Sequence, residues 1–255
     1  MPLEPPWFTA TAAVLAAIAF TFVLAGFVKG VVGLGLPTIS MGMLALAMPP
    51  AQAAALLVLP SLVTNLWQGF AGPYVGTLLR RLWPMLIGIL AGTMTGTGWL
   101  VDGDARLAGA LLGAALAAYG VLGLAAPHLH LPRRHEIWAG PLAGAATGLV
   151  TAATGVFVLP AVPYLQALDL DRAARNQALG LCLTMSALSL GLILAAASAL
   201  GALFSLPVLL GVIAAALGMA LGLALQRRLS PAVFRHVFFA GLILLGGIIV
   251  LRALG

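Results

Sequence analysis

Charge is what this chain lacks most. Twelve basic and six acidic side chains are all that its 255 residues carry, 7% against roughly 25% in an ordinary soluble domain. With 62% of residues apolar, a water-soluble fold would expose apolar surface almost everywhere and aggregate. The formal charge of +6 is no nucleic-acid footprint, because twelve cations spread along the chain form no basic face. A single cysteine, Cys182, excludes an internal disulfide framework and any cysteine metal cluster. No Asp or Glu falls inside an apolar run, so a buried carboxylate relay for proton coupling is missing. The four histidines (128, 130, 135 and 236) fall in loops or at the start of a span, so no hydrolytic constellation and no metal site is visible. GVVGLGLP (30–37) lacks the Gly-Lys-Ser/Thr ending of a phosphate-binding loop, which argues against direct ATP use. The expectation is a membrane protein that is not an enzyme and needs no cofactor.

Long apolar runs are what is present. Six stretches, roughly 51–72, 82–101, 105–126, 173–197, 205–226 and 232–251, meet the requirement of about 20 residues for a membrane-crossing helix. The first apolar stretch, 8–28, follows Glu4 rather than a basic cluster and reads as a retained segment, not a cleaved signal. It runs into the glycine-rich Lys29–Pro37, and the next apolar piece stops at Met48-Pro49-Pro50. Residues 137–150 likewise run into Thr151–Gly155, and the piece after them ends near Asp169. The pieces at 38–48 and 157–168 would rise only about 16–18 Å, too short to span alone. Each region reads as a helix, an irregular tip and a half-length helix. Asp104 and Ser230 stand where helix N-caps belong.

Arginines choose sides. Arg80/Arg81, Arg133/Arg134 and Arg227/Arg228/Arg235 are expected in three short loops, which the positive-inside rule makes cytoplasmic. Arg172 and Arg175 put the start of 173–197 inside as well, so that span runs opposite to 51–72. The two halves also resemble one another. AGFVKG (25–30) lies over AGAATG (143–148) at an offset of 118, Pro50 and Ala53 over Asp171 and Ala174 at 121, and Pro84 and Gly88 over Pro207 and Gly211 at 123. The expected fold class is an all-α polytopic membrane protein of two inverted repeats, each an interrupted hairpin plus three spans. Residues 1–126 form the first repeat, 127–136 a cytoplasmic linker and 137–255 the second. Such inverted repeats with broken helices bind their cargo near the midplane.

Lys29 is the one charge lodged in an interrupted region. It reads either as an anchor for an anion beside glycine-rich backbone or as a lysine snorkelling to water. Ser61, Thr64, Asn65 and Gln68 share an arc of about 100° on one span; they either touch substrate or bond between helices. In the second half Thr151 and Thr154 flank the tip and Gln166 lies on the returning arm, while Thr147 replaces lysine at the matched position. Thr93, Thr95 and Thr97 are expected to bond back to their own helix. An enzyme would need Lys29 to activate a serine such as Ser40. With no coupling carboxylate, expelling a monovalent anion gains about 2.3 kcal/mol per 100 mV from a cell negative inside, so export is the easier direction.

GFVKGVVGLGLPT (26–38), LPSLVTNLWQG (59–69) and TGVFVLPAVPYLQAL (154–168), followed by QALGL (177–181), resemble the sulfite exporter TauE/SafE family, also called the toluene-sulfonate uptake permease group. The resemblance covers almost the whole chain, though the second tip, TAATGVFV, has one glycine where the family often has several. It implies movement of sulfite, sulfonates or related small organic anions across a bacterial inner membrane. By position, it implies a site of Lys29, Gly33, Gly35, Asn65 and Gln68 from the first half with Thr154, Gly155, Gln166 and Gln177 from the second; Ser61 joins from the polar stripe. The expectation is alternating access, with the halves rocking about a site where the two tips meet. A passive anion channel or an uptake permease using the same cavity is the alternative. The expected partners are the bilayer and a small anion, with a homodimer left open.

Overall fold

The computed structural model describes residues 12–96, 103–125, 130–196 and 205–254. The expectations for Glu4, Thr97 and His128 lie outside the described residues. Among the described residues there are ten helices and no strands. They are α1 (Ala12–Val32), α2 (Leu36–Leu44), α3 (Pro50–Phe70), α4 (Val75–Thr95), α5 (Ala105–Ala125), α6 (Arg133–Thr154), α7 (Ala161–Ala167), α8 (Arg172–Leu194), α9 (Leu206–Leu225) and α10 (Pro231–Leu254). Seven of them, α1, α3, α4, α5, α8, α9 and α10, are long and apolar enough to cross a hydrocarbon layer. The chain is an all-α, multi-pass membrane protein.

Both expected interruptions are present, and glycine stereochemistry explains them. Gly33 and Gly35, after α1, have φ of 80° and 113°, and Gly155 caps α6 at φ 67°. These left-handed values break a helix and suit only a residue without Cβ. Pro37, in the first turn of α2, sits where a missing N–H costs nothing. The helical arms are shorter than the expected 38–48 and 157–168. α2 has nine residues and α7 seven, rising about 13 and 10 Å. Residues 45–47 form turns, and Val156-Phe157-Val158 is non-helical and fully buried.

Arg80 and Arg81 were expected in a loop before a span starting near 82; instead they lie inside α4, which begins at Val75. Arginine is a good helix former, and Arg81 is neutralised where it sits. Its Nε and Nη2 donate to the two carboxylate oxygens of Glu136 in the first turn of α6, at 2.8 and 2.6 Å. Arg133, Arg134 and Arg235 also lie within helices, α6 and α10, rather than in connections. Glu136→Gln should lower the thermal midpoint by a few degrees, the loss of about 1 kcal/mol for a partly exposed pair. Anion affinity and flux should not change; thermal melts and flux assays on the same variant check both.

Packing between spans is set by glycines on three seams. On α1 and α9, Gly26 faces the Ala215 carbonyl, Gly218 faces Val23 O and Phe27 N, and Gly222 faces Phe27 O. On α6 and α4, Gly144 faces the Met85 carbonyl, Gly88 faces Pro141 O and Ala145 N, and Gly92 faces Ala145 O. Helix backbones touch at these points, as small residues permit in lipid. The second seam repeats the first residue for residue, 118 positions on along α1/α6 and 130 positions apart between α4 and α9. In these contacts Gly88 takes the place that Gly218 takes on the other seam, whereas the offset of 123 sets it over Gly211. A third seam pairs with itself. Gly113 of α5 faces Gly246 O and Val250 N, and Gly246 of α10 faces Gly113 O and Ala117 N. Enclosed between the seams are α3 and α8, the two most buried spans. Asp171 caps α8 by accepting from Ala174 N at 2.7 Å, and Pro49 is the residue before α3.

Candidate functional site

The polar arc of α3 faces inward. Ser61, Thr64, Asn65 and Gln68 are buried, whereas Val63, Leu66 and Trp67 are 42%, 39% and 66% exposed, as a lipid-facing side requires. Thr64 closes on its own helix, donating to Pro60 O at 2.9 Å. Asn65 meets Lys29, which projects from the last turn of α1 on a face other than the glycine seam. Lys29 Nζ donates to Asn65 Oδ1. At 1% exposure the lysine does not snorkel. Its amide partner is neutral, and the only ion pair among the described residues is Arg81–Glu136. Because Asn65 Oδ1 is taken, the Nδ2 donor is directed elsewhere, and it has no protein partner. Ser61 Oγ, just over a turn earlier in α3, is likewise buried and unpartnered.

Gln68 does a different job. Its Nε2 donates to Gly33 O at 2.6 Å, Asn176 Oδ1 at 3.0 Å and Asn176 O at 3.1 Å. It therefore ties the first tip to α8, leaving only the acceptor Oε1 unpartnered. Gly33 is shaped to this latch, since a Cβ there would overlap Asn176 Oδ1.

Beside these residues opens a cavity of about 570 Å³. Lys29, Gly33 and Gln68 line it together with Gln166 of α7, which brings together four of the expected site residues. Its rim adds the exposed Arg172, Asn176, Gln226 and Arg235. The arrangement is a funnel, with cations at an open mouth and one ammonium at the buried end. Gly35 stands just outside, against Val28 and Phe238.

The other expected residues are not gathered there. Gln177 is consumed by the α3–α4 connection: Nε2 donates to Gly69 O and Gly72 O at 2.9 and 3.1 Å, and Oε1 accepts from Tyr74 N at 3.1 Å. Thr154 donates to Val150 O and accepts from Val156 N, which shapes the second tip. Gly155 packs against Met41, so the second tip touches the returning arm of the first hairpin and not Gly33–Gly35. Ser40 donates to Leu36 O at 2.5 Å rather than pairing with Lys29. Thr93 and Thr95 bond back to Ile89 O and Gly92 O, as expected.

Residues 18–249 match the family model described as sulfite exporter TauE/SafE. The chain belongs to the TauE/SafE family. No curated protein and no solved structure matches it. Membership makes this a membrane transporter of the sulfite-exporter kind, which accords with the expectation that it is not an enzyme. The TauE/SafE motifs led to the first tip and the α3 stripe but passed over Asn176, Arg172 and Arg235. A signal existed for two of them: Arg172 and Asn176 are four residues apart on one face of the first turns of an apolar span. In the sequence Arg172 and Arg235 mark topology alone.

Proposed function

We propose that the chain carries a small oxyanion across the bacterial inner membrane, gripped by the Lys29 ammonium and the free Nδ2 donor of Asn65. The observation that carries this reading is Lys29 itself. A buried cation with no carboxylate is costly, and an anion supplied as cargo through this cavity would offset that cost. Arg172 and Arg235 draw it in, since cationic mouths with low-dielectric walls concentrate counter-ions. These arginines belong to the set assigned to the cytoplasm, so the cavity opens inward and a negative-inside potential favours export.

Duplicate glycine seams support an inverted repeat and alternating access. By the same offsets, Lys29, Gly33, Met219 and Leu223 correspond to Thr147, Thr151, Ile89 and Thr93, all at 0% exposure. What is open at one end is sealed at the other, as in one of two exchanging states. The seams also change the moving parts. Each joins a helix of one half to a helix of the other, so rigid halves cannot rock without tearing backbone contacts. The bodies that move are instead the cross-half pairs α1–α9 and α4–α6, turning about α3 and α8.

Two measurements on purified protein test the reading. Sulfite or a small sulfonate should raise the thermal midpoint by several degrees at a hundredfold excess over Kd, a gain of about 2.7 kcal/mol, and chloride should not. In vesicles, counterflow of that anion should respond to an imposed potential. Potential-independent flux of a charged anion would remove the electrogenic mechanism, and flux without saturation or counterflow would favour a channel.

A further inference from the structure

We propose that the site selects anions that carry a hydrogen-bond donor of their own, with Gln68 Oε1 as the acceptor that reads it. Candidate cargo is then a hydrogen oxyanion, or a sulfonate with a hydroxyl beside the charged group. This inference rests on Lys29 and Asn65 being the anion anchor, and goes beyond it by naming which anions fit.

The amide orientation of Gln68 is not arbitrary. Gly33 O, Asn176 O and Asn176 Oδ1 surround one end of the amide, and all three are acceptors. Only the NH₂ group can face the two backbone carbonyls, and a flipped amide would set oxygen against both. Oε1 is thereby turned away from its surroundings. It is closed off from bulk, on a residue that is 8% exposed, without a protein partner, in a side chain that lines the cavity together with Lys29.

Asn65 and Gln68 are three residues apart on one helix face, which separates their Cβ atoms by about 5–6 Å, the breadth of a small tetrahedral oxyanion. At one end the cavity is lined by Lys29, whose ammonium is held by Asn65, a residue with a further donor, Nδ2, that has no protein partner. At the other waits a lone acceptor. An anion whose oxygens are all deprotonated satisfies the donors but presses lone pairs against Oε1. An anion with one O–H satisfies all three. Sites that hydrogen-bond a hydroxyl discriminate strongly against the analogue without it, because their own polar atom is then left unpaired.

Hydroxymethanesulfonate and ethanesulfonate test this. They have the same charge and number of heavy atoms and differ by one hydroxyl in place of a methyl. On the wild-type chain in detergent, titration should show hydroxymethanesulfonate binding about tenfold tighter or more. In vesicles, sulfite flux should fall with rising pH in proportion to the singly protonated fraction. In Gln68→Met the preference should shrink below about threefold. Equal affinities in the wild type, with binding of both abolished by Lys29→Met, would overturn the selectivity and leave the anchor standing. No binding of any anion, or binding indifferent to Lys29, would overturn both.

Discussion

Vesicles containing Lys29→Met should show anion counterflow at background, from a protein that melts within a few degrees of wild type. The two halves of that expectation come from different physics. Removing one partner of a desolvated charge pair costs about 2–5 kcal/mol of binding, a loss of roughly thirty- to several-thousandfold. Folding is spared because methionine replaces an ammonium that has no carboxylate. The variant leaves Asn65 Oδ1 without a partner, a cost of about 1–3 kcal/mol, but it also removes the penalty of burying a charge. These oppose each other, so the melting temperature is the control that separates lost cargo binding from lost structure. Lys29→Arg should not restore flux: the residue is already among the largest fully buried side chains, and a guanidinium is bulkier and planar. Full counterflow in Lys29→Met would dismiss the ammonium as anchor and, with it, the cavity as the route.

How legible this protein is before folding depends on which property is asked for. Membrane crossing follows from apolar length, and the two interruptions follow from glycine clusters, so both can be read along the chain. The lipid-facing side of α3 could be read from angular spacing alone, because Trp67 and Gln68 cannot both face a bundle interior. The start of α4 could not, since nothing before folding announces that Glu136, 55 residues later, will neutralise Arg81. Glutamines were least legible. Gln68, Gln166 and Gln177 look alike as neutral polar residues near a cavity, yet the backbone carbonyls around each amide decide its role. Gln177 has both ends occupied by the α3–α4 connection, and Gln68 has one. Only contacts between residues more than 100 positions apart separate a brace from a ligand.

Gly92→Ala should lower stability by about 3 kcal/mol or more, and Gly222→Ala by nearly the same amount. Alanine is a better helix former than glycine by about 1 kcal/mol, and at Gly76, Gly241 or Gly247, where nothing lies within 4 Å of a built Cβ, the same change should be neutral or stabilising. At Gly92 the added carbon would fall against the Ala145 carbonyl, and at Gly222 against that of Phe27. Backbone cannot rotate away as a side chain can, so the helices must separate and surrender contacts along the whole seam, the costliest kind of overpacking. The near-equality of the two losses carries information of its own. Gly92 and Gly222 differ in their surrounding side chains but occupy the same place in a repeated backbone contact, so matched losses in thermal melts tie the cost to that contact. Combined, the changes should add, since they act on separate seams with no shared partner. Widely unequal losses would mean that the two seams, alike in geometry, do not bear the same load, and the exchange of states built on their equivalence would lose its physical basis.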